Sequence, residues 1–278
     1  MSAMNEPRTI TIKPSKGWAT LNLKDLWNYR ELIYFFTWRD LKVRYKQTLL
    51  GASWAVLQPF LTMIVFSIFF GGLAKVPSDD VPYPIFSYTA LLPWTLFSKA
   101  MSDASRSLVS SANIISKVYF PRLILPLASV LAGVVDFLIA FVVLLGMMVF
   151  YKITPTGNVW FLPLFVLLAL ITAIGVGLWL SALNVMYRDV GYIIPFLTQF
   201  WMYVTPIAYP ASMVPEKWKF VYALNPLTGV VEGFRWALLG TGDGPGISLF
   251  ISASIAILLT ISGLFYFRRM ERKFADMV

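Results

Sequence analysis

Residues 123–151 read LILPLASVLAGVVDFLIAFVVLLGMMVFY, and one acid, Asp136, is the only charge in that run. A helix needs about 20 mainly apolar residues to cross hydrocarbon, so this stretch is long enough to span. Working outward, five more apolar stretches appear at Ala52–Leu73, Pro82–Phe97, Phe161–Val185, Tyr192–Tyr209 and Ile247–Phe267. The Pro82–Phe97 stretch is short and carries Pro84 and Pro93, which reads as a tilted, broken or partly re-entrant segment. Lysine and arginine fall in alternate gaps: eighteen on the side of both termini, five on the other. The positive-inside rule turns that imbalance into six crossings with cytoplasmic N and C termini. The fold class so read is an all-α polytopic membrane protein with six transmembrane helices, sited in an inner (cytoplasmic) membrane.

Composition agrees: 58% of the 278 residues are hydrophobic, 13% are charged, and mean hydropathy is +0.70. The net charge of +9 is read as topology signal and attraction to anionic lipid; no nucleic acid partner is expected. Cysteine and histidine are both absent, which removes thiolate chemistry, cysteine metal sites and the usual general base near pH 7. The dipeptide Gly-Lys never occurs, so there is no Walker loop. No metal site and no catalytic residue is expected in this chain, and it is read as a non-enzyme. No apolar core lies near the start, so a cleavable signal peptide is not expected. Asp136 has no other charge near mid-membrane in this reading, which favours a buried, hydrogen-bonded structural role over a relay.

The chain divides into a tail (1–26), an amphipathic interface helix (27–50), a six-span transmembrane domain (51–267) and a C-terminal tail (268–278). Within the first tail, Thr9–Lys13 alternates weakly and could form a short strand. In the helix, Tyr29, Leu32, Phe36, Val43 and Leu50 fall on one stripe while Arg30, Arg39, Lys42 and Lys46 point elsewhere. Asp40 intrudes near the stripe. Such a helix lies in the membrane interface, as a lipid anchor or a docking surface for a cytosolic partner. Lys99–Arg122 reads as a long cytoplasmic connection with a short helix around Ile114 and Ile115, and the turn Tyr187-Arg188-Asp189 as a charged pair capping neighbouring helices. Pro210–Gly246 is too apolar for a solvated loop and is broken at Asn225-Pro226. Two half-helices in an external re-entrant segment satisfy both facts.

These segments resemble one family. Residues 38–48 (WRDLKVRYKQT), Leu50-Gly51, residues 54–59 (WAVLQP), residues 117–122 (KVYFPR), Asn184 with Arg188-Asp189-Val190, Thr205-Pro206, and Asn225-Pro226-Leu227 with Arg235 look like polysaccharide-exporting ABC permeases. That family serves O-antigen, capsular polysaccharide and teichoic acid export. The resemblance covers about Leu23 to Phe267. It implies a homodimer bound to two copies of a separate cytosolic ABC ATPase, with ATP and Mg held there and no cofactor in this chain. It implies a channel lined by the first and fifth spans, and a glycan cargo on a polyprenyl pyrophosphate.

A hydrated polymer suits hydroxyl, amide and aromatic walls. The channel-lining candidates are therefore Trp54, Gln58 and Ser67 from the first span and Thr198, Gln199, Trp201, Tyr203 and Thr205 from the fifth. At 100° per residue Thr198, Trp201 and Thr205 share a stripe that Tyr203 does not. Arg39, Arg44, Ile114 and Ile115 are the ATPase-docking candidates. Arg39, Lys42, Arg44 and Lys46 are the lipid-pyrophosphate candidates, although ordinary membrane lipids explain that run too. The competing functions are a permease for a small lipid or drug, a polyprenyl-phosphate glycosyltransferase, and a passive channel or secondary transporter.

Overall fold

A computed structural model describes residues 23–46, 51, 53–242, 244, 246–271 and 274. The strand read at Thr9–Lys13, Leu50 of the helical stripe and most of the C-terminal tail lie outside the described residues. Within them the chain is helical, with no strand.

Two short segments open the chain: α1 (Leu23–Asn28) and, after a break at Tyr29, α2 (Arg30–Lys46). Then come α3 (Ser53–Phe66), which runs on as a π-helix over Ser67–Leu73, α4 (Tyr83–Ser110), α5 (Ala112–Ile115) and α6 (Ile124–Phe150). A 3₁₀ turn leads into α7 (Leu162–Met186), followed by α8 (Val190–Val204), α9 (Glu216–Ala223), α10 (Pro226–Leu239) and α11 (Ile247–Glu271). Among the described residues four segments are long and apolar enough to cross a membrane: Ser53–Leu73, Ile124–Phe150, Gly157–Met186 and Ile247–Glu271. α8 is apolar but only 15 residues long.

One reading is corrected outright. The supposed short span at 82–97 and the connection after it are a single 28-residue helix, α4, that continues to Ser110. At 1.5 Å per residue it is about 42 Å long. Pro84 sits in its first turn, where no N–H is lost, and Pro93 is accommodated in its interior. α4 packs against α3, α6, α7, α8 and α10, and its side chains from Ile85 to Leu92 are buried. A helix walled by protein needs no lipid-facing apolar stripe, so its second half could become polar. The short helix expected around Ile114 and Ile115 is only the four residues of α5.

Small residues set the close approaches between neighbouring helices. A Cβ on Gly177 would lie 2.8 Å from Ala104 Cβ of α4, and one on Gly175 2.7 Å from the Thr260 backbone of α11. The main core joins α4, α6, α7 and α10. A second apolar cluster at the other end of α6 collects Phe36, Ile115, Phe120, Leu178, Phe267 and Phe274. α3, α8 and α11 are peripheral: α8 has one buried side chain, Ile194, and α3 with its π-helical continuation exposes Leu61, Val65, Ile68 and Phe69.

α2 does not carry a single apolar stripe over its length. Its inner face begins apolar, with Phe36 buried, and ends in the charges described below, while Val43 is exposed. After Pro210 come two short helices, α9 and α10, with the expected break at Asn225. The Asn225 side chain caps α10 by accepting from Leu227 N (3.1 Å). Asp189 precedes α8 without a side-chain capping bond, so the charged turn does not cap as expected.

Candidate functional site: a polar cleft floored by paired charges

On α6, Ser129, Ala132, Gly133, Asp136 and Ala140 recur at helical spacing and are all buried. The small members let α4 approach: a Cβ on Gly133 would sit 3.7 Å from Ala100 Cβ. Asp136 thus meets the polar half of α4, and Lys99 Nζ stands 2.5 Å from Asp136 Oδ2. α2 crosses the same place. Arg44 donates to Asp136 Oδ2 (2.5 Å) and to Asp103 Oδ2 (2.6 Å), and the Tyr45 hydroxyl donates to Asp136 Oδ1. Beside them Arg39 pairs with Asp40 at 2.8 Å, and Ser129 Oγ donates to Asp40 Oδ2 at 3.2 Å.

Asp136, Asp103, Arg44 and Lys99 balance to zero net charge. A carboxylate only 6% exposed needs such partners, because desolvating an unpaired charge costs several kcal/mol, of order the Coulomb energy gained in a good pair. Asp136 is therefore not the isolated acid it looked to be. Hydropathy alone hides these partners, because it puts Lys99 and Asp103 in a connection after the span and leaves Arg44 as a docking or lipid-contact candidate. Burial, and then donation to Asp136, raise the Tyr45 phenol well above its usual pKa, so it stays a neutral donor. Lys99, Asp103 and Tyr45 were not among the sequence candidates. Lys99 and Asp103, four apart, share a helix face, and that spacing was the available signal.

Over this floor opens a cleft of about 250 Å³ walled by α3, α4, α6 and α8. Three candidates meet in it: Trp54 and Gln58 of α3 and Thr198 of α8. Thr95, Ser98 and Ser102 of α4 add hydroxyls, and Lys99 and Asp136 form the charged floor.

The other candidates lie elsewhere. Ser67 begins the π-helical segment and donates to Met63 O (2.7 Å). Thr205 is 0% exposed; it donates to Trp201 O (2.9 Å) and accepts from Asn225 Nδ2 (3.0 Å). Trp201 Nε1 donates to Asn225 Oδ1 at 2.9 Å, and its ring meets Phe97 edge-on. The stripe through Trp201 and Thr205 therefore faces the protein. The open face of α8 carries Tyr192, Phe196, Gln199, Phe200 and Tyr203.

Among the basic candidates Arg39, Lys42 and Lys46 share a groove of about 300 Å³ with Phe35 and Trp38 on the outer face of α2, whereas Arg44 points inward. Ile115 is buried in the second apolar cluster and Ile114 is half-buried against it. Val118 and Tyr119 are exposed large apolar groups at that end. No group of three or more acidic residues is placed to hold a metal among the described residues.

Arg235 supplies the remaining fixed point. It is 1% exposed and donates to Pro206 O and Ile207 O (2.7 Å each), to Tyr209 O (3.3 Å) and to Glu232 (3.0 Å). With Asn225 it ties the end of α8 to α10, so two of the motif residues quoted above are joints of the scaffold.

Residues 31–239, from α2 to the end of α10, match the model of the ABC-2 type transporter family. The chain belongs to that family. It is therefore a membrane-embedded transporter component. It is 31% identical over 250 residues to an O-antigen export system permease protein RfbA of Klebsiella pneumoniae, covering 89% of this chain and 95% of that one. It is 28% identical over 254 residues to the protein of the same name from Myxococcus xanthus, covering 90% and 96%. A polysialic acid transport protein KpsM of Escherichia coli is 25% identical over 241 residues, covering 84% and 91%.

Proposed function

We propose that this chain is the channel-forming subunit of an ATP-driven exporter that moves lipid-linked polysaccharide across the inner membrane. The observation that carries the reading is the cleft between α3 and α8. Its upper wall offers hydroxyl, amide and indole groups that exchange hydrogen bonds with a hydrated polymer without holding it by charge. Likeness along nearly the full length of permeases named for O-antigen export supports the cargo class.

In this reading six crossings are made by α3, α4, α6, α7, α8 and α11, both termini are cytoplasmic, and α9–α10 is a re-entrant external segment. The cytoplasmic side then carries Lys99, Arg106, Lys117, Arg122 and the basic residues of α2, consistent with the charge asymmetry. The sparsely packed faces of α3 and α8 are the ones a second copy would cover, completing a channel in a homodimer. Two copies of a separate ABC ATPase hold ATP and Mg. They dock near Val118 and Tyr119 and the half-buried Ile114, at the cytoplasmic end of the second apolar cluster. The groove holding Arg39, Lys42 and Lys46 beside Trp38 receives the lipid pyrophosphate, while Arg44 anchors α2.

The experiment is complementation. The chain, expressed with its partner ATPase in a strain lacking its own permease, restores surface glycan, and the two proteins copurify as an ATP-hydrolysing complex. Absence of surface glycan at normal membrane levels of both, or ATP turnover by the isolated chain, overturns the reading.

A further inference from the structure

On the side of α9 and α10 away from the charged floor, two cavities meet at Val214 and Tyr222. One, about 400 Å³, is walled by Tyr209, Trp218 and Tyr222 with Met213 and Pro215. The two tyrosine hydroxyls lie 3.0 Å apart, which fixes their rings at an angle. The other, about 520 Å³, is walled by Asp79 and Asp80, Ser212, Lys219, Glu232 and Ser248. Thr228 and Thr241 also line it, each more than nine-tenths buried, and neither hydroxyl has a hydrogen-bond partner among the described residues.

The chemistry of these walls selects a ligand. Binding sites are commonly concave and about 300–1,000 Å³, with convergent polar groups beside apolar or aromatic surface. The three carboxylates do not converge as a metal cage: no such group exists among the described residues. Glu232 is engaged by Arg235, and Asp79 accepts from Ser212 at 3.2 Å. Acids and hydroxyls spread around a wall suit a ligand with many O–H donors. The neighbouring aromatic faces, electron-rich at their centres, suit its C–H surface. A sugar has both. Glu232 is balanced by Arg235, but among the described lining residues Asp79 and Asp80 face one cation, Lys219, which already lies 2.6 Å from Glu216. Like charges placed together reject a partner as firmly as contacts attract one, so an acidic sugar is disfavoured.

We infer that this joined pocket is an exit-side saccharide subsite that holds uncharged sugar units of the exported chain; the inference rests on the export reading above.

The test exploits the absence of cysteine. Ser248→Cys puts a single thiol on the pocket wall, and Thr154→Cys puts one on an exposed connection that does not line it. Each full chain is expressed with its ATPase in spheroplasts, and labelling by a membrane-impermeant maleimide is timed with synthesis of a neutral lipid-linked glycan switched on or off. We expect at least threefold slower labelling of the Ser248→Cys chain with synthesis on, unchanged labelling of the Thr154→Cys chain, and loss of the protection when Asp80→Ala and Tyr222→Leu are added. An acidic polymer should give no protection. Equal labelling in cells whose glycan reaches the surface through this chain overturns the subsite and leaves export standing, whereas cells that export nothing through it overturn both. Equal protection by an acidic polymer overturns the selectivity for uncharged sugars.

Discussion

Replacing Asp136 by Asn keeps the volume of the side chain and removes the charge that two cations share. Lys99 then loses its carboxylate at 2.5 Å, and Arg44 retains Asp103 at 2.6 Å. Breaking a fully buried pair from one side costs about 3–5 kcal/mol. Here the Arg44 and Lys99 side chains keep 22% and 35% of their exposure, so water screens part of the loss, and about 2 kcal/mol is the expected cost. For a chain of this size that is a fall of roughly 4–8 °C in the unfolding midpoint. Asp103→Asn breaks one pair, with 34% of the Asp103 side chain exposed, and should cost about 1 kcal/mol or less. Adding Lys99→Met to Asp136→Asn removes the orphaned cation, so the double variant should recover part of the loss and the cycle should show coupling. The assay is thermal unfolding of the purified chain in one detergent, followed by fluorescence-detected gel filtration. An Asp136→Asn chain as stable as wild type, or an Asp103→Asn chain that is the less stable of the two, refutes the paired floor.

Arg235→Met should be more damaging, about 3–5 kcal/mol, because it strips the donors from three backbone carbonyls and leaves Glu232 without its cation; the yield of folded protein at 37 °C measures it. Gly175→Val places a side chain where a Cβ alone would lie 2.7 Å from the Thr260 backbone, and should cost about 1–3 kcal/mol by overpacking α7 against α11, read in the same unfolding assay. Thr205→Arg, at the C-cap of α8, should fail to fold because the position is sealed, whereas Gln199→Arg on α8 should fold, reach the membrane and reduce surface glycan several-fold. A well-folded Thr205→Arg chain would mean that α8 is rotated from the orientation described.

The sequence made the lipid-facing helices legible within a few residues, since α6, α7 and α11 must be apolar over a bilayer's thickness. α4 was not legible because its surroundings are protein. Ser98, Lys99, Ser102 and Asp103 look like the start of a loop when the only guide is hydropathy. Misplacing Lys99 then left Asp136 without partners on paper. The intrusion of Asp40 into the stripe of α2 was a real signal: the inner face of that helix changes from apolar to ionic over its length. On α8 the periodicity grouped Thr198, Trp201 and Thr205 correctly, but a helix apolar nearly all round does not say which group faces out. Asn225, which binds both Trp201 and Thr205, settles that through contacts made 20 and more residues away. Within the cleft, Trp54, Gln58 and Thr198 were legible as polar or amphipathic groups in otherwise apolar spans; the floor beneath them was not.

The path of the polymer is tested most directly by photo-crosslinking during export. Benzoylphenylalanine in place of Gln58 or Thr198, in the chain assembled with its ATPase, should capture glycan and give a ladder of mass-shifted bands that disappears when glycan synthesis is off. The same group in place of Leu258, exposed on α11 away from the cleft, should capture none. Adducts at Leu258 with none at Gln58 or Thr198 would contradict a polymer path between α3 and α8.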